Sequence, residues 1–294
     1  VLRHGDTRAQ LLGVEAVLGD GSVVSHLGGL RKDNTGYHLP SLLCGSEGTL
    51  GVVTAARLAL VARHEQRVVA LVGVGTVAEA VALAGHLRRT LADLDAVELL
   101  SAACQRLVGA PLPLEGEHPW YVLVEAAGHD DPTAALADAM SDVADVAVAG
   151  PGEPARRAQL WLHREGITEA VNRVGPPTKL DVTLPGPALD AFCTEVVGAA
   201  APPAQVWLFG HVGDGNVHVN VTGVDPADDA VDDAVLRLVV AHGGSISAEH
   251  GIGRAKRPWL HLVRSEAELA AFGRIKRALD PAGILNPAVL LPEA

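Results

Sequence analysis

Cysteine is scarce in this sequence of 294 residues, which contains three, Cys44, Cys104 and Cys193. Their odd number and irregular spacing match neither a disulfide framework nor a zinc ribbon, so we interpret them as buried thiols in a reducing cytosol. No apolar run reaches the roughly 18 residues of a membrane-spanning helix. Residues 1–5 lack the apolar segment of a signal peptide. These absences predict a cytoplasmic protein without a membrane span, and the missing initiator methionine suggests a fragment or a processed product.

Basic residues are also in the minority, with 23 against 35 acidic ones and a formal net charge of -12. A surface of this charge repels phosphate backbones and anionic membranes, which excludes nucleic acid as an expected partner. An anionic ligand would therefore need a local cluster of cations. Apolar residues make up 48% of the chain, which is enough for a buried core and argues against disorder.

The order of predicted strands and helices indicates the α+β class. After an initial group of strands the composition changes near residues 63–66, and a βαβ…βαβ order follows as far as about residue 149. Thr76, with Glu79 three residues later, predicts a capping box at the start of the first helix of this region. The order predicts a ferredoxin-like antiparallel sheet with helices on one face. Further helices are predicted over residues 153–173, 188–197, 228–242 and 266–279.

The segment 209–221 carries the strongest local signal. Asp214-Gly215 between alternating residues is typical of a two-residue hairpin turn, which would place His211 opposite His218. Because side chains alternate between faces, both imidazoles and Asn220 would share one face, with opposed Cβ atoms about 5 Å apart. Such a pair suits a divalent metal. The same pattern also fits two histidines on a half-buried sheet.

A second segment, 247–253, offers a third ligand. It places Glu249 next to His250 between small residues and glycines. Two histidines and one carboxylate form a common catalytic metal set that leaves a coordination position open. The sequence alone does not show whether Glu249 meets the hairpin.

Five segments together resemble the flavin-linked D-2-hydroxyacid dehydrogenases. They follow the order found in that family and extend over nearly the whole chain. The resemblance implies FAD as a cofactor, together with a divalent metal, zinc above all. The matching segments are KDNTGY at 32–37, GSEGTLG at 45–51, GHVGDGNVH at 210–218, SAEHGIG at 247–253 and DPAGILNP at 280–287.

The resemblance also implies roles for individual residues. The metal ligands would be His211, His218 and Glu249. His250 would contact the substrate and act as the general base, and Asn220 would bind the substrate. The substrate carboxylate would be bound by Arg164, Thr168 and Lys179, and the flavin by Gly45, Ser46, Glu47, Gly48, Thr49, Gly51 and Asn286.

The carboxylate-binding set also makes chemical sense by itself. Arg164 and Thr168 are four residues apart, so they share one face of the predicted helix. An arginine can bind a carboxylate with two hydrogen bonds, and Lys179 adds a point charge. A cationic pocket in an acidic protein implies a small anionic substrate. Without the resemblance, Arg164 would be interpreted as a solvated surface residue.

Applied to the whole chain, the resemblance implies three segments. Residues 1–64 would be the C-terminal remnant of an FAD-binding domain, since the loop that holds the flavin diphosphate in the family lies upstream of such a segment. Residues 65–250 would form the cap domain that binds substrate and metal. Residues 251–294 would return to the FAD side. The fold expected is therefore a flavin-domain remnant, a ferredoxin-like cap domain with an antiparallel sheet, and C-terminal helices.

The function hypothesis is flavin-dependent oxidation of a D-2-hydroxyacid, D-2-hydroxyglutarate in particular, to the 2-oxoacid. The metal would polarise the 2-hydroxyl and His250 would accept its proton. Electrons would then pass to an acceptor that the sequence does not identify, and a homodimer is one expected assembly. The alternatives are a D-lactate or glycolate dehydrogenase, a flavin-free binding fragment without activity of its own, and a metal-dependent hydrolase. The hydrolase leaves the two glycine-rich motifs unexplained.

Overall fold

The computed structural model describes residues 1–30, 32–200 and 202–291, and these divide into two compact units. Unit 1 combines Arg3–Ala62 with the chain from Glu249 onward, and unit 2 contains Arg63–Ala248. The functional roles expected for residues 1–64, 65–250 and 251–294 stay predictions. The fold class itself, α+β with antiparallel sheets, is confirmed.

The N-terminal part of unit 1 is a small antiparallel sheet with a thin core. Its strands lie in the order β2-β1-β3. Val14 and Ala16 of β1 pack against Leu43 and Leu50, whereas most of β3 is exposed. The elements are α1 (Thr7–Gln10), β1 (Leu11–Val17), β2 (Val23–His26), α2 (Leu39–Leu43) and β3 (Val52–Leu58).

Unit 2 is built on one antiparallel sheet in the order β7-β4-β6-β5-β9-β10-β8. Its first part has the predicted βαβ…βαβ order, with one further helix, Ala102–Val108, between the two βαβ units. The strands are β4 (Gln66–Val74), β5 (Leu94–Ser101), β6 (Trp120–Gly128), β7 (Val146–Ala149), β8 (Thr178–Thr183), β9 (Gln205–His211) and β10 (Asn216–Thr222).

Helices cover both faces of this sheet, so the expectation of helices on one face is wrong. On one face α4 and α6 pack against a core that includes Val69 and Leu71 of β4. The alternate residues Val68 and Val72 are equally buried, and α3 contacts the same strand. A strand that is apolar on both sides must be covered on both sides. The helices are α3 (Val77–Thr90), α4 (Ala102–Val108), α5 (Thr133–Ala139), α6 (Pro154–Val174), α7 (Leu189–Ala199) and α8 (Ala230–Ala241).

Helix α3 begins where the capping pattern predicts. The Thr76 side chain accepts a hydrogen bond from the Glu79 amide at 3.1 Å. The Glu79 carboxylate returns to the Gly75 amide at 2.7 Å, one residue earlier than the predicted box requires. None of the helices in the described part of the chain combines the length and hydropathy needed to span a membrane.

Lys276 links the C-terminal part of unit 1 to the glycine-rich segment 45–51. Helix α9 (Glu266–Leu279) begins with a capping box at Ser265. Near its end, the Lys276 ammonium donates to the carbonyl of Thr49 at 2.9 Å and pairs with the fully buried side chain of Asp280. The Asp280 carboxylate also accepts the amide of Leu285 at 2.8 Å. These bonds connect the segments 45–51 and 280–287.

Acidification should selectively remove the stability that Asp280 contributes. Burial opposes its ionisation, but the hydrogen bond and charge of Lys276 and two backbone amides outweigh burial and lower the pKa of Asp280. A depressed folded-state pKa gives stability that is complete above the unfolded value of about 3.9 and is lost as the pH falls further.

Urea unfolding of the native chain and of Asp280→Asn, measured from pH 7 down to pH 3, tests this expectation. The difference in unfolding free energy between the two proteins should be largest at neutral pH and should shrink below about pH 4. Comparing the two proteins removes the contribution of other carboxylates. A difference that is independent of pH would contradict the assignment.

Candidate active site

The histidine hairpin forms, but with a longer turn than the Asp-Gly pattern predicts. The loop spans residues 212–215, and His211 pairs with Asn216 while His218 pairs with Phe209. The expectation that His211 lies opposite His218 across a two-residue turn is therefore wrong. The amides of Asp214 and Gly215 both donate to the carbonyl of His211, each at 3.1 Å. These bonds close a four-residue loop.

Contacts with neighbouring elements also hold this loop. The Gly213 amide donates to the carbonyl of Val97 at 3.3 Å, and Arg88 donates to the Gly213 carbonyl at 3.0 Å. Gly215 has a φ of +81°, which a residue with a side chain adopts only with strain. Because the true register differs from the predicted one by two residues, and side chains alternate with a period of two, the histidines still share a face. Their ring centroids lie 5.4 Å apart.

Each of the two histidines is contacted by a buried carboxylate at Nδ1. Glu98 Oε1 lies 2.7 Å from Nδ1 of His211. Asp181 Oδ1, which is the register partner of His218 on β8, lies 3.4 Å from Nδ1 of that ring. A carboxylate at one ring nitrogen is the usual arrangement behind a metal-binding imidazole, because it fixes the tautomer and directs Nε2 toward the ion.

Glu98 also binds the first of the expected substrate residues. The Arg164 Nε atom donates to Glu98 Oε2 at 2.8 Å, and the guanidinium lies 4.8 Å from the centroid of the Phe209 ring. Burial raises the pKa of Glu98, but the hydrogen bond from His211 and the charge of Arg164 outweigh burial, so the pKa is lowered overall. Glu98 is therefore ionised at neutral pH.

Asn216 is buried beside the histidines, with 3% of its surface exposed. Its Nδ2 group donates to Asp181 at 2.9 Å. Its Oδ1 atom has no hydrogen-bond partner among the described residues. A buried amide oxygen without a protein partner is rare in folded proteins and fits a site that is completed by a bound molecule.

The other expected substrate residues lie on the elements that carry this site. Lys179 of β8 pairs with Asn220 of β10, two residues from the pairing of Asp181 with His218, so all four residues point to one face. Asn220 is buried, whereas Lys179 is exposed. Thr168 is exposed one helical turn after Arg164 on α6.

The chain approaches Glu249 along β8. Ser245 exchanges backbone hydrogen bonds with Thr183, and the Ala248 amide donates to the carbonyl of Asp181 at 3.3 Å. Glu249 is the next residue, and with His250 it begins the C-terminal part of unit 1. The backbone at residue 248 is thus held beside the strand whose Asp181 contacts His218.

The glycine-rich segment of unit 1 has a sharply bent backbone. Gly45, Glu47 and Gly48 have φ values of +81°, +53° and +72°. The Glu47 carboxylate accepts the amides of Ile252 and Gly253 at 2.9 and 2.7 Å. Asn286 donates from its side chain to the Glu47 carbonyl. Unit 1 therefore brings together three of the motifs that lie far apart in the sequence.

The remaining flavin candidates are packed into the same segment. Ser46 and Thr49 are buried, and the Thr49 hydroxyl donates to the Ser46 carbonyl at 2.6 Å. A Cβ atom at Gly51 would lie 3.2 Å from a methyl group of Leu43, closer than ordinary contact. The Glu47 side chain, in contrast, accepts hydrogen bonds from the backbone amides of Ile252 and Gly253. The motif alone did not predict this role.

Sequence reasoning missed three residues of the site: Glu98, Asp181 and Asn216. Glu98 and Asp181 are acidic residues between apolar neighbours, Val97-Glu98-Leu99 and Leu180-Asp181-Val182. A charge at a buried strand position requires a partner, and that requirement is the signal that could have identified both. The three cysteines are free thiols, and burial raises the pKa of Cys104 to about 11 and of Cys193 to about 12.

Comparisons with known proteins show which family the chain resembles. Residues 63–290 match the family model described as FAD linked oxidases, C-terminal domain. The mitochondrial D-2-hydroxyglutarate dehydrogenase of Bos taurus is 38% identical over 307 residues, covering 99% of this chain and 56% of the relative. The protein of the same name from Danio rerio is 36% identical and is covered to 58%. The chain therefore spans little more than half the length of these relatives.

Among solved structures, p-cresol methylhydroxylase with bound substrate matches with a TM-score of 0.70 at 15% identity. The match covers 99% of this chain and 68% of the other. At this level of identity the likeness shows the fold alone.

The expectation of a cytoplasmic protein is wrong, because the relatives from both animals are named as mitochondrial. Residues 1–5 were one basis of that expectation. In a chain that spans about half of its relatives, those residues carry no information about location.

Proposed function

This chain belongs to the family of FAD-linked oxidases, whose C-terminal domain model covers most of it, and we propose that it provides the substrate and metal site of a D-2-hydroxyglutarate dehydrogenase. The single observation that carries the proposal is the pair His211 and His218 on one face of the sheet, each with a buried carboxylate at Nδ1. The names of the relatives support the choice of substrate.

The residues present fit a divalent metal, zinc in particular. His211 and His218 would hold it through Nε2, and Glu249, which follows the residue anchored to Asp181, would add the third ligand. The unpartnered Oδ1 atom of Asn216 on the same face agrees with a ligand at this position. When bound, the ion would make a nearby hydroxyl more acidic, and FAD would accept the C2 hydrogen of the substrate together with its electron pair.

The chain's own residues bind the substrate and remove one proton. The Nε atom of Arg164 donates to Glu98, which leaves its two Nη atoms to bind the substrate carboxylate. Lys179, Thr168 and Asn220 add a charge and two hydrogen-bonding groups. His250 accepts the proton of the 2-hydroxyl, since imidazole is the side chain that most often serves as a general base in enzymes. The product is the 2-oxoacid.

Cofactor binding by unit 1 belongs to the same proposal. The segment Gly45 to Gly51, together with Asn286, supplies bent backbone that a flavin can approach closely. The electron acceptor and a homodimeric assembly stay predictions.

Arg164 should discriminate between dicarboxylate and monocarboxylate substrates. Arg164→Met removes a charge-assisted contact worth about 1.5–3 kcal/mol, so the Kd for D-2-hydroxyglutarate should rise about 10–100-fold. D-lactate has no distal carboxylate, and its Kd should change much less. Calorimetric titration of both compounds gives the ratio.

Arg173→Met is the matched control, because Arg173 lies on the same helix and pairs with the exposed Glu169. It should leave both Kd values unchanged. Equal weakening of the two substrates by Arg164→Met, with zinc affinity unchanged, would show that Arg164 does not bind the distal carboxylate.

The proposed function itself is tested with the purified chain, zinc and flavin. D-2-hydroxyglutarate should bind more tightly in the presence of zinc than after zinc has been removed by a chelator. In a chain that retains FAD, the substrate should also bleach the visible absorption of the flavin. Preference for D-lactate would reassign the substrate. Absence of both zinc binding and 2-hydroxyacid binding would contradict the proposal.

A further inference from the structure

Glu98 contacts both halves of the proposed site. We infer that this one buried carboxylate is a positioning residue that sets His211 for the metal and Arg164 for the substrate at the same time. The inference deepens the proposed function and rests on it for the identities of metal and substrate. The geometry that carries it belongs to unit 2 alone.

The two oxygens of Glu98 have separate partners. Oε1 lies 2.7 Å from His211 Nδ1, and Oε2 lies 2.8 Å from Arg164 Nε. Glu98 lies on β5, where Leu99 and Leu100 pair with Gly210 and Phe209, so it reaches His211 across adjacent strands. Only 7% of its side chain is exposed. Its position is therefore fixed by the sheet and by two charge-assisted hydrogen bonds.

Both partners are oriented by these contacts. A carboxylate at Nδ1 fixes the rotation of the His211 ring, and so the direction of Nε2. The bond at Nε and the Phe209 ring at 4.8 Å fix the plane of the Arg164 guanidinium, and so the direction of its Nη atoms. Displacing either partner displaces the carboxylate, which couples metal binding to substrate binding in both directions.

A second glutamate in unit 2 provides a close control. Glu125 of β6 is also buried, pairs with Arg67, and accepts the indole N–H of Trp161 at 2.7 Å. Like Glu98 it bridges an arginine and a ring N–H group, but its partners belong to a different group of side chains. Glu125→Gln therefore reproduces the loss of a buried charge without touching His211 or Arg164.

The test compares Glu98→Gln with Glu125→Gln in the full chain. With zinc alone as the probe and a competing chelator, Glu98→Gln should weaken zinc binding about 10–100-fold. Glu125→Gln should leave zinc affinity within experimental error. Thermal unfolding of both proteins shows whether their losses of stability are similar. Equal zinc affinity of folded Glu98→Gln and the native chain would overturn the inference.

A readout without metal separates this inference from the proposed function. In zinc-free protein, ¹⁵N NMR of the imidazoles should show His211 with its proton at Nδ1, and Glu98→Gln should shift it toward a mixture of tautomers. Glu125→Gln should not. If the native chain binds no zinc, the proposed metal site is wrong. The tautomer of His211 in the zinc-free protein still shows whether Glu98 orients this imidazole.

Aspartate replaces glutamine if the glutamine variant does not fold. Its shorter side chain keeps the charge but cannot reach both partners, so Glu98→Asp should show an intermediate loss of zinc affinity or a shifted tautomer. A native tautomer together with native zinc affinity in folded Glu98→Asp would overturn the inference.

Discussion

His218→Ala is expected to lower the zinc affinity of the chain by about 10³-fold and to abolish turnover. A structural zinc site gains about 10–16 kcal/mol from its protein ligands, so losing one of three proposed ligands costs on the order of 4 kcal/mol. The substitution removes an imidazole that lies 5.4 Å from the ring of His211. Zinc affinity is measured by chelator competition, and turnover by reduction of an artificial electron acceptor.

His242→Ala is the control for this substitution. His242 also has a carboxylate partner, Glu195 at 3.1 Å, and packs at 6.2 Å from the Phe192 ring at the end of α8. Its loss should cost stability without changing zinc affinity. Unchanged zinc affinity in a folded His218→Ala protein would show that His218 is not a zinc ligand. Turnover that persists after chelation of the metal would contradict a metal-dependent mechanism.

Lys276→Met is expected to destabilise unit 1 by about 3–5 kcal/mol. Removing one partner of a buried ion pair leaves the other charge uncompensated. The Asp280 side chain is fully buried, and Lys276 also binds the carbonyls of Thr49 and Leu285. Hydrogen exchange at the amides of β1 should accelerate strongly, because the lysine connects α9 to the segment that directly precedes β3, the strand paired with β1.

Arg277→Met, at the next position of α9, tests whether the effect is specific. Arg277 is exposed, so its replacement should change stability by no more than about 0.5 kcal/mol. Amides of β4 and β6 in unit 2 should exchange at native rates in both variants. A small effect of Lys276→Met, similar to that of Arg277→Met, would show that Asp280 is stabilised by its backbone amides alone.

Periodicity and capping in the sequence predict most helices correctly. The predicted helix at 266–279 and the long helix starting near 153 agree with α9 and α6. These signals are local, since α9 begins with a capping box at Ser265 and α6 begins with a proline in its first turn. Cover on both faces of the sheet could also have been predicted, because residues 68–72 of β4 form an unbroken apolar run. The strand order could not, because it depends on long-range pairing.

The histidine hairpin shows where local rules fail. Asp214-Gly215 has the composition of a tight turn, but contacts with Val97 and Arg88 hold a four-residue loop. Those partners are more than 100 residues away in sequence. The shared face of His211 and His218 could still be predicted, since it requires only an even shift in register.

Glu98 and Asp181 illustrate a different limit. Each lies in an apolar strand whose neighbours in the sheet are set by long-range pairing, β5 with β9 and β8 with β10. The sequence shows that each acid is out of place on a buried strand. It does not show which histidine each one meets, because that depends on the strand order.

The division of unit 1 between two distant parts of the chain has a consequence for the order of folding. The Glu47 bond to Gly253 and the Lys276 bond to Thr49 join residues 206 and 227 positions apart. Unit 2 is continuous between them, so its strands can pair while the C-terminal segment is still being synthesised. Unit 1 must close last, and a chain that stops before residue 249 would leave the small sheet of β1–β3 without the packing and the backbone hydrogen bond that Leu279 provides.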